Sequence, residues 1–96
     1  MKECFDFCAE KNRWLKSNRE ISFEETVALI NSDRLLSIVS HHNQKKYPHQ
    51  QMYLIDIDDY VYVVPFIRKD KNNVILKTIF KSRKLTKQYL AEKKKD

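Results

Sequence analysis

Three histidines, two lysines and a tyrosine fall within nine residues of this chain: His41, His42, Lys45, Lys46, Tyr47 and His49. Histidine exchanges protons near neutral pH, lysine binds phosphate and tyrosine stacks on a base. Cleaving RNA through its 2′-hydroxyl needs a base, an acid and cationic help at the phosphate, and this stretch can supply all three. It also reads as a polar loop between two strands, the ordinary fate of such composition.

A second set of cations lies near the end of the chain. In the run VILKTIFKSR, a period of two puts Ile75, Lys77, Ile79 and Lys81 on one strand face and Leu76, Thr78, Phe80 and Ser82 on the other. A lysine between two isoleucines is either a snorkelling side chain or a cation projecting into a cleft, where it can hold phosphate. Arg83 and Lys84 follow at the strand-to-helix junction, just before Thr86, the expected helix cap. Amides at a helix start, with the helix dipole, make such a junction suited to phosphate.

The charge is concentrated in the same place. The net charge is +6, from 19 Lys and Arg against 13 Asp and Glu. Eight cations and two acids fall from Lys77 onward, leaving eleven of each sign on residues 1–76. The excess therefore belongs to the last segment, which suits nucleic acid, a membrane surface or an acidic protein. Lys93–Lys95 read as a fraying tail.

Other chemistries find little support. Asp56, Asp58 and Asp59 look like strand and turn residues without metal spacing, and a chain with no glycine has no glycine-rich phosphate loop. Cys4 and Cys8 are expected to be free thiols, partly buried and too poorly placed on a helix to bridge. Their combination with His41 or His49 matches no standard zinc spacing, so neither metal nor cofactor is expected.

The elements that must position these groups can be read in order. Ninety-six residues allow one domain, taken as 1–96 with 91–96 as its basic tail. No run approaches the ~20 apolar residues that cross a bilayer, and no signal-peptide core is evident at the start, so a cytoplasmic setting is expected. A helix is expected over about Asp6–Asn18, using Phe7, Trp14 and Leu15. A second follows Ser22, whose S-x-x-E pattern with Glu25 is a capping box. Strands follow at Leu35–Val39, MYLIDID, YVYVVPFIR and VILKTIFKSR, with Pro65 marking an edge or bulge. Asp58–Asp59 and Asn72–Asn73 stand where turns need positive φ. A last helix, KQYLAEKKK, buries Tyr89 and Leu90. The class is α+β: two N-terminal helices, an antiparallel meander of three or four strands, and a C-terminal helix.

Three stretches taken together carry a family resemblance. FDFCAEKN (5–12), ISFEE (21–25) and LKTIFKSRKLTKQY (76–89) resemble, in their order along the chain, the F-x-W-D-x-x-K, V-S-F-E-E and I-R-I-I-S-A-R-x-A-T segments of the BrnT toxins of bacterial toxin–antitoxin pairs, and the spacing from Lys11 to Phe23 fits without a gap. The resemblance implies a RelE-like fold, ribonuclease activity without a cofactor, and a cognate antitoxin. That antitoxin would be a dimeric ribbon-helix-helix protein that also binds operator DNA, giving a hetero-oligomer. Arg83 stands at the arginine of S-A-R and Thr86 at the threonine, and Lys77 stands for the arginine of the family's last strand with one residue inserted between it and Arg83. The chain departs from the pattern where the family's Lys-His-Gly falls on Asn18, Arg19 and Glu20, and where Tyr89 replaces a frequent Glu. Lysine at position 77 also lacks the two-pronged grip of arginine on phosphate.

The expected catalytic groups are then Lys77 and Arg83 at the phosphate, with proton transfer from His41, His42, His49 or Tyr89. The expected RNA contacts are Lys16, Arg19, Lys45, Lys46, Lys81, Lys84 and Lys87. Two alternatives stay open: a catalytically degenerate toxin-like module serving as a protein partner, and a simple basic nucleic-acid binder.

Overall fold

A computed structural model describes residues 4–40, 43 and 45–90. His41, His42 and the lysines of 91–96 lie outside the described residues. The elements run β1 (Cys4–Asp6), α1 (Ala9–Asn18), α2 (Phe23–Ile30), β2 (Leu35–Ser40), β3 (Gln50–Ile57), β4 (Tyr60–Arg68), β5 (Asn73–Leu76), β6 (Phe80–Lys81) and α3 (Arg83–Leu90). They form a mixed α+β fold with an open six-stranded sheet ordered β1-β5-β4-β3-β2, and β6 pairs with β4.

The expected antiparallel meander is present as β2 to β5, but the sheet is larger. Its additional strand, β1, pairs parallel to β5 through Cys4–Asn73, Phe5–Val74 and Asp6–Ile75. Residues 6–8 therefore do not begin α1 as expected. Phe5 and Phe7, two apart, both pack on the core, which an extended backbone allows and a helix does not. Phe7 stacks on Phe23 with ring centroids 4.9 Å apart. Cys4 and Cys8 are free as expected, yet exposed rather than partly buried.

Alternation along β3 and β4 divides the core in two. Tyr53, Ile55, Val64 and Phe66 face α1 and α2, where Leu15, Phe23 and Ile30 close the larger cluster. Leu54, Val61 and Val63 face the other way, against Leu90 of α3, with Tyr89 and Leu85 partly buried beside them. Each fully buried large apolar side chain contributes about 1.5–3 kcal/mol, so Phe23 anchors α2 more firmly than the roughly 1 kcal/mol of its cap.

That cap is Ser22, whose Oγ accepts the Glu25 amide at 3.1 Å. Glu25 closes the box differently from expectation, receiving the Ser22 hydroxyl rather than a backbone amide. A second cap comes from α1: buried Asn12 accepts the Phe23 amide through Oδ1 and donates through Nδ2 to Glu24, both at 2.8 Å.

The expected single strand over 74–83 is broken. Between the pairs Phe66–Leu76 and Val63–Phe80, β4 advances three residues while its partner advances four. One extra residue makes a β-bulge and exchanges the faces that follow it. Val74 and Leu76 are buried before the bulge and Ile79 after it, while Lys77 is exposed. Ile75, Lys77, Ile79 and Lys81 therefore do not share a face, and the puzzle of a lysine between isoleucines disappears.

The last helix also begins earlier than expected. Its starting cap is Ser82, whose Oγ accepts the Leu85 amide at 3.1 Å. Thr86 lies inside α3, donating its hydroxyl to the Ser82 carbonyl and accepting the Val61 amide at 2.8 Å. Ser82 also donates its own amide to the Val61 carbonyl, so the start of α3 is fastened to the start of β4.

Candidate nucleic-acid interface

The fastening of α3 and β6 to β4 fixes a group of cations and rings. In β6, Lys81 pairs with Tyr62, and its ammonium lies 5.5 Å from the Tyr60 ring centre and 5.7 Å from that of Tyr62. Such cation–π contacts contribute about 0.5–1 kcal/mol at exposed sites and, more usefully here, hold the cation in place. Tyr60 and Tyr62 are on the same strand, two residues apart, which is why both rings reach one lysine.

Arg19 arrives from the α1–α2 connection. Its Nη1 donates to the Ile79 carbonyl, sixty residues away in sequence, and its guanidinium lies 4.9 Å from the Trp14 ring centre. Lys11 approaches the same ring at 4.4 Å. Trp14 is expected in the apolar face of α1, yet it is 43% exposed and carries cations instead.

Arg19 and Lys81 line one cleft of about 380 Å³, together with Glu20, Tyr62, Ile79 and Phe80. Among the described residues, two cations and one acid line it, a positive balance. Glu20 holds φ at 54°, a left-handed conformation that costs a non-glycine residue roughly 1–2 kcal/mol. This turn lets the chain reverse between α1 and α2 and brings Arg19 beside Ile79.

The other expected site residues that lie among the described residues are dispersed. Lys16 forms an exposed ion pair with Glu24 at 3.8 Å, a kind that adds little to stability. Lys77 sits at the bulge, its amide donating to the Pro65 carbonyl at 2.8 Å. Arg83 and Lys87 are exposed on α3, and Tyr89 packs with the smaller core cluster on the opposite sheet face from Tyr62. Lys84 lines a groove on that opposite face with Tyr47, Met52 and Phe80. Lys45 is an exposed turn residue, and the Lys46 ammonium lies 5.5 Å from the Tyr47 ring centre.

His49 occupies a further cleft with Gln50, Arg68 and Asp70. The Gln50–Ile67 and Ile55–Tyr62 pairs stand five steps apart on the same ladder, so Gln50, the neighbour of His49, is separated from the level of Tyr62 by roughly 17 Å along the strand. Of the expected residues, the structure brings Arg19 and Lys81 together and leaves His49 at the other end of β4.

Two carboxyls are held below their ordinary range. Glu24 is lowered first by the Asn12 side-chain hydrogen bond, then by a backbone bond, with a smaller contribution from Lys16. Asp70 is lowered by the Asn73 side chain and by the Asn72 amide. Among the described residues, no group of three or more His, Cys, Asp or Glu could hold a metal ion, and no helix is long and apolar enough to cross a membrane.

Sequence reasoning missed Tyr60, Tyr62, Trp14 and Phe80 as members of the site. Tyr60 and Tyr62 had a signal, since tyrosines two apart share a strand face. Their partner in β6 could not be identified without the bulge. Compared with protein-family models, curated proteins and solved structures, the chain matches none.

Proposed function

We propose that this chain is a RelE-like toxin of the BrnT kind, a ribonuclease that grips single-stranded RNA in the Arg19–Lys81 cleft. The observation that carries the reading is the convergence of Arg19 and Lys81 on one cleft, each beside an aromatic ring. Cations alternating with aromatic faces suit a strand that offers phosphates and unstacked bases together. The left-handed backbone at Glu20 supports the same reading, because the resembling family carries glycine there.

In the proposed reaction the 2′-hydroxyl oxygen bonds to the adjacent phosphorus as the bond to the 5′ oxygen breaks. One proton leaves the 2′-hydroxyl and one arrives on the departing oxygen, giving a cyclic 2′,3′-phosphate and a 5′-hydroxyl. Arg19 and Lys81 stabilise the charge that gathers on the phosphate. Glu20 and Tyr62, the carboxylate and phenol of the cleft, are assigned the two proton transfers. The reaction calls on no cofactor. The protein acts in the cytoplasm, and a ribbon-helix-helix antitoxin covers the positive cleft in a hetero-oligomer that also engages operator DNA.

A second reading, binding without cleavage, draws on the distance of His49 from the cleft. The purified chain mixed with end-labelled single-stranded RNA separates the two. Cyclic-phosphate products that fall at least about a hundredfold in Tyr62→Phe and Glu20→Gln support the nuclease. Retained RNA with no products supports the binder, and failure to retain RNA contradicts both.

A further inference from the structure

Phe80 lines the Arg19–Lys81 cleft and also the groove on the opposite face of the sheet, a hollow of about 690 Å³. It is 37% exposed. β1 pairs with the other strand segment only as far as Ile75, so β6 is the sheet edge at this level. The two hollows thus meet across an exposed aromatic ring at a strand edge.

The groove has its own chemistry. Met52, Val63 and Pro65 contribute apolar surface, and Tyr47 and Phe80 contribute rings. Among the described residues, its one charged lining residue is Lys84, and no carboxylate lines it. The Lys46 ammonium lies 5.5 Å from the centre of the Tyr47 ring, beside the groove's lining. Gln50 and Gln88 each carry both a donor and an acceptor, as the edge of a base requires.

We infer that this groove is a second nucleotide subsite, and that one RNA strand rounds the β6 edge at Phe80 to reach it from the Arg19–Lys81 cleft. The inference rests on the reading of that cleft as an RNA site and extends it to a substrate class: single strands of several nucleotides. The groove takes a base between Tyr47 and Phe80, and Lys84 meets the neighbouring phosphate. A duplex is too stiff to turn around a strand edge, so paired RNA is excluded from the full track.

The test measures binding of RNA oligonucleotides from two to six nucleotides long, in a catalytically quiet Tyr62→Phe background. Affinity is expected to rise more than about tenfold over this series, because each stacked base adds appreciably. Lys84→Ala and Tyr47→Ala should remove most of that gain while leaving dinucleotide binding within about twofold. Lys84→Ala should also reduce the salt slope for the hexanucleotide by about 0.7. Both residues are on the surface or half-buried, so folding can be checked independently by circular dichroism.

If the length gain persists in both variants while Arg19→Ala abolishes binding, the second subsite is wrong and the cleft reading stands. If no oligonucleotide binds, both fail. If the groove variants weaken only an acidic amphipathic peptide and leave the hexanucleotide unaffected, the groove belongs to a protein partner and the inference is overturned.

Discussion

The two ends of β4 both gather charged and hydrogen-bonding side chains, but they use them differently. At its start, Lys81 and Arg19 are held beside rings and open onto a cleft. At its end, the charge of Asp70 is turned inward on the chain: it accepts the Asn72 and Asn73 amides and the Asn73 side chain, shaping the β4–β5 turn. His49 stands at this second end. The difference separates charge held beside rings at an open cleft from charge consumed by local structure.

The largest expected contrast is in RNA affinity. Arg19→Ala should weaken binding of a single-stranded hexanucleotide by about tenfold or more, the scale of one lost charge-assisted contact. His49→Ala should change it by less than about twofold, read by fluorescence anisotropy at fixed salt. Equal losses would erase the distinction between the two ends.

Stability offers the next contrast. Thr86→Val leaves the buried-side Val61 amide without its acceptor and should cost about 1–2 kcal/mol in urea unfolding. The same variant should weaken RNA binding, because Val61 lies between the two tyrosines that hold Lys81. An RNA affinity unchanged despite the lost stability would show that the cleft does not depend on this fastening.

Acid should act first at the far end. The folded-state carboxyl of Asp70 is depressed, so its contribution is present above the ordinary carboxylate range and is lost as pH falls through the folded value. Hydrogen-exchange protection of the Asn72 and Asn73 amides, corrected for intrinsic rates, should therefore drop on acidification. Ser82 and Val61, held by Thr86 and backbone groups, should keep theirs until global unfolding. Asp70→Ala should remove the acid response of the turn.

The smallest effect is expected at Glu20. Replacing it with glycine relieves roughly 1–2 kcal/mol of left-handed strain and adds about 0.5–1 kcal/mol of chain entropy to be lost on folding. The net change should be a gain of at most about 1.5 kcal/mol, whereas Glu20→Val should destabilise. A loss from the glycine variant would contradict the backbone conformation assigned to this turn.

What could be read from the sequence follows the range of the interactions. Ser22 announces α2 because a cap acts over three residues, and Asp58–Asp59 announce their hairpin because positive φ is a local demand, met at 52° and 63°. Asn72–Asn73 were expected to meet the same demand, but the turn is built by Asp70 instead. Strand β1 was hidden because three residues acquire strand geometry only from a partner about seventy residues away. The bulge was hidden for the same reason: an extra residue is extra only against β4. Consequently the cations Arg19 and Lys81 were identified singly, but their meeting was not. Of the run from His41 to His49, His41 and His42 lie outside the described residues, while Tyr47 and His49 line different hollows, an arrangement that neighbourhood in sequence does not determine.

Expression of the chain alone in a bacterium tests the account most directly, with growth and total RNA followed after induction. The wild-type chain is predicted to arrest growth and shorten RNA, with Arg19→Ala and Lys81→Ala relieving both while remaining folded and His49→Ala relieving neither. Normal growth with abundant folded protein and intact RNA, or relief by His49→Ala alone, would contradict a ribonuclease centred on the Arg19–Lys81 cleft.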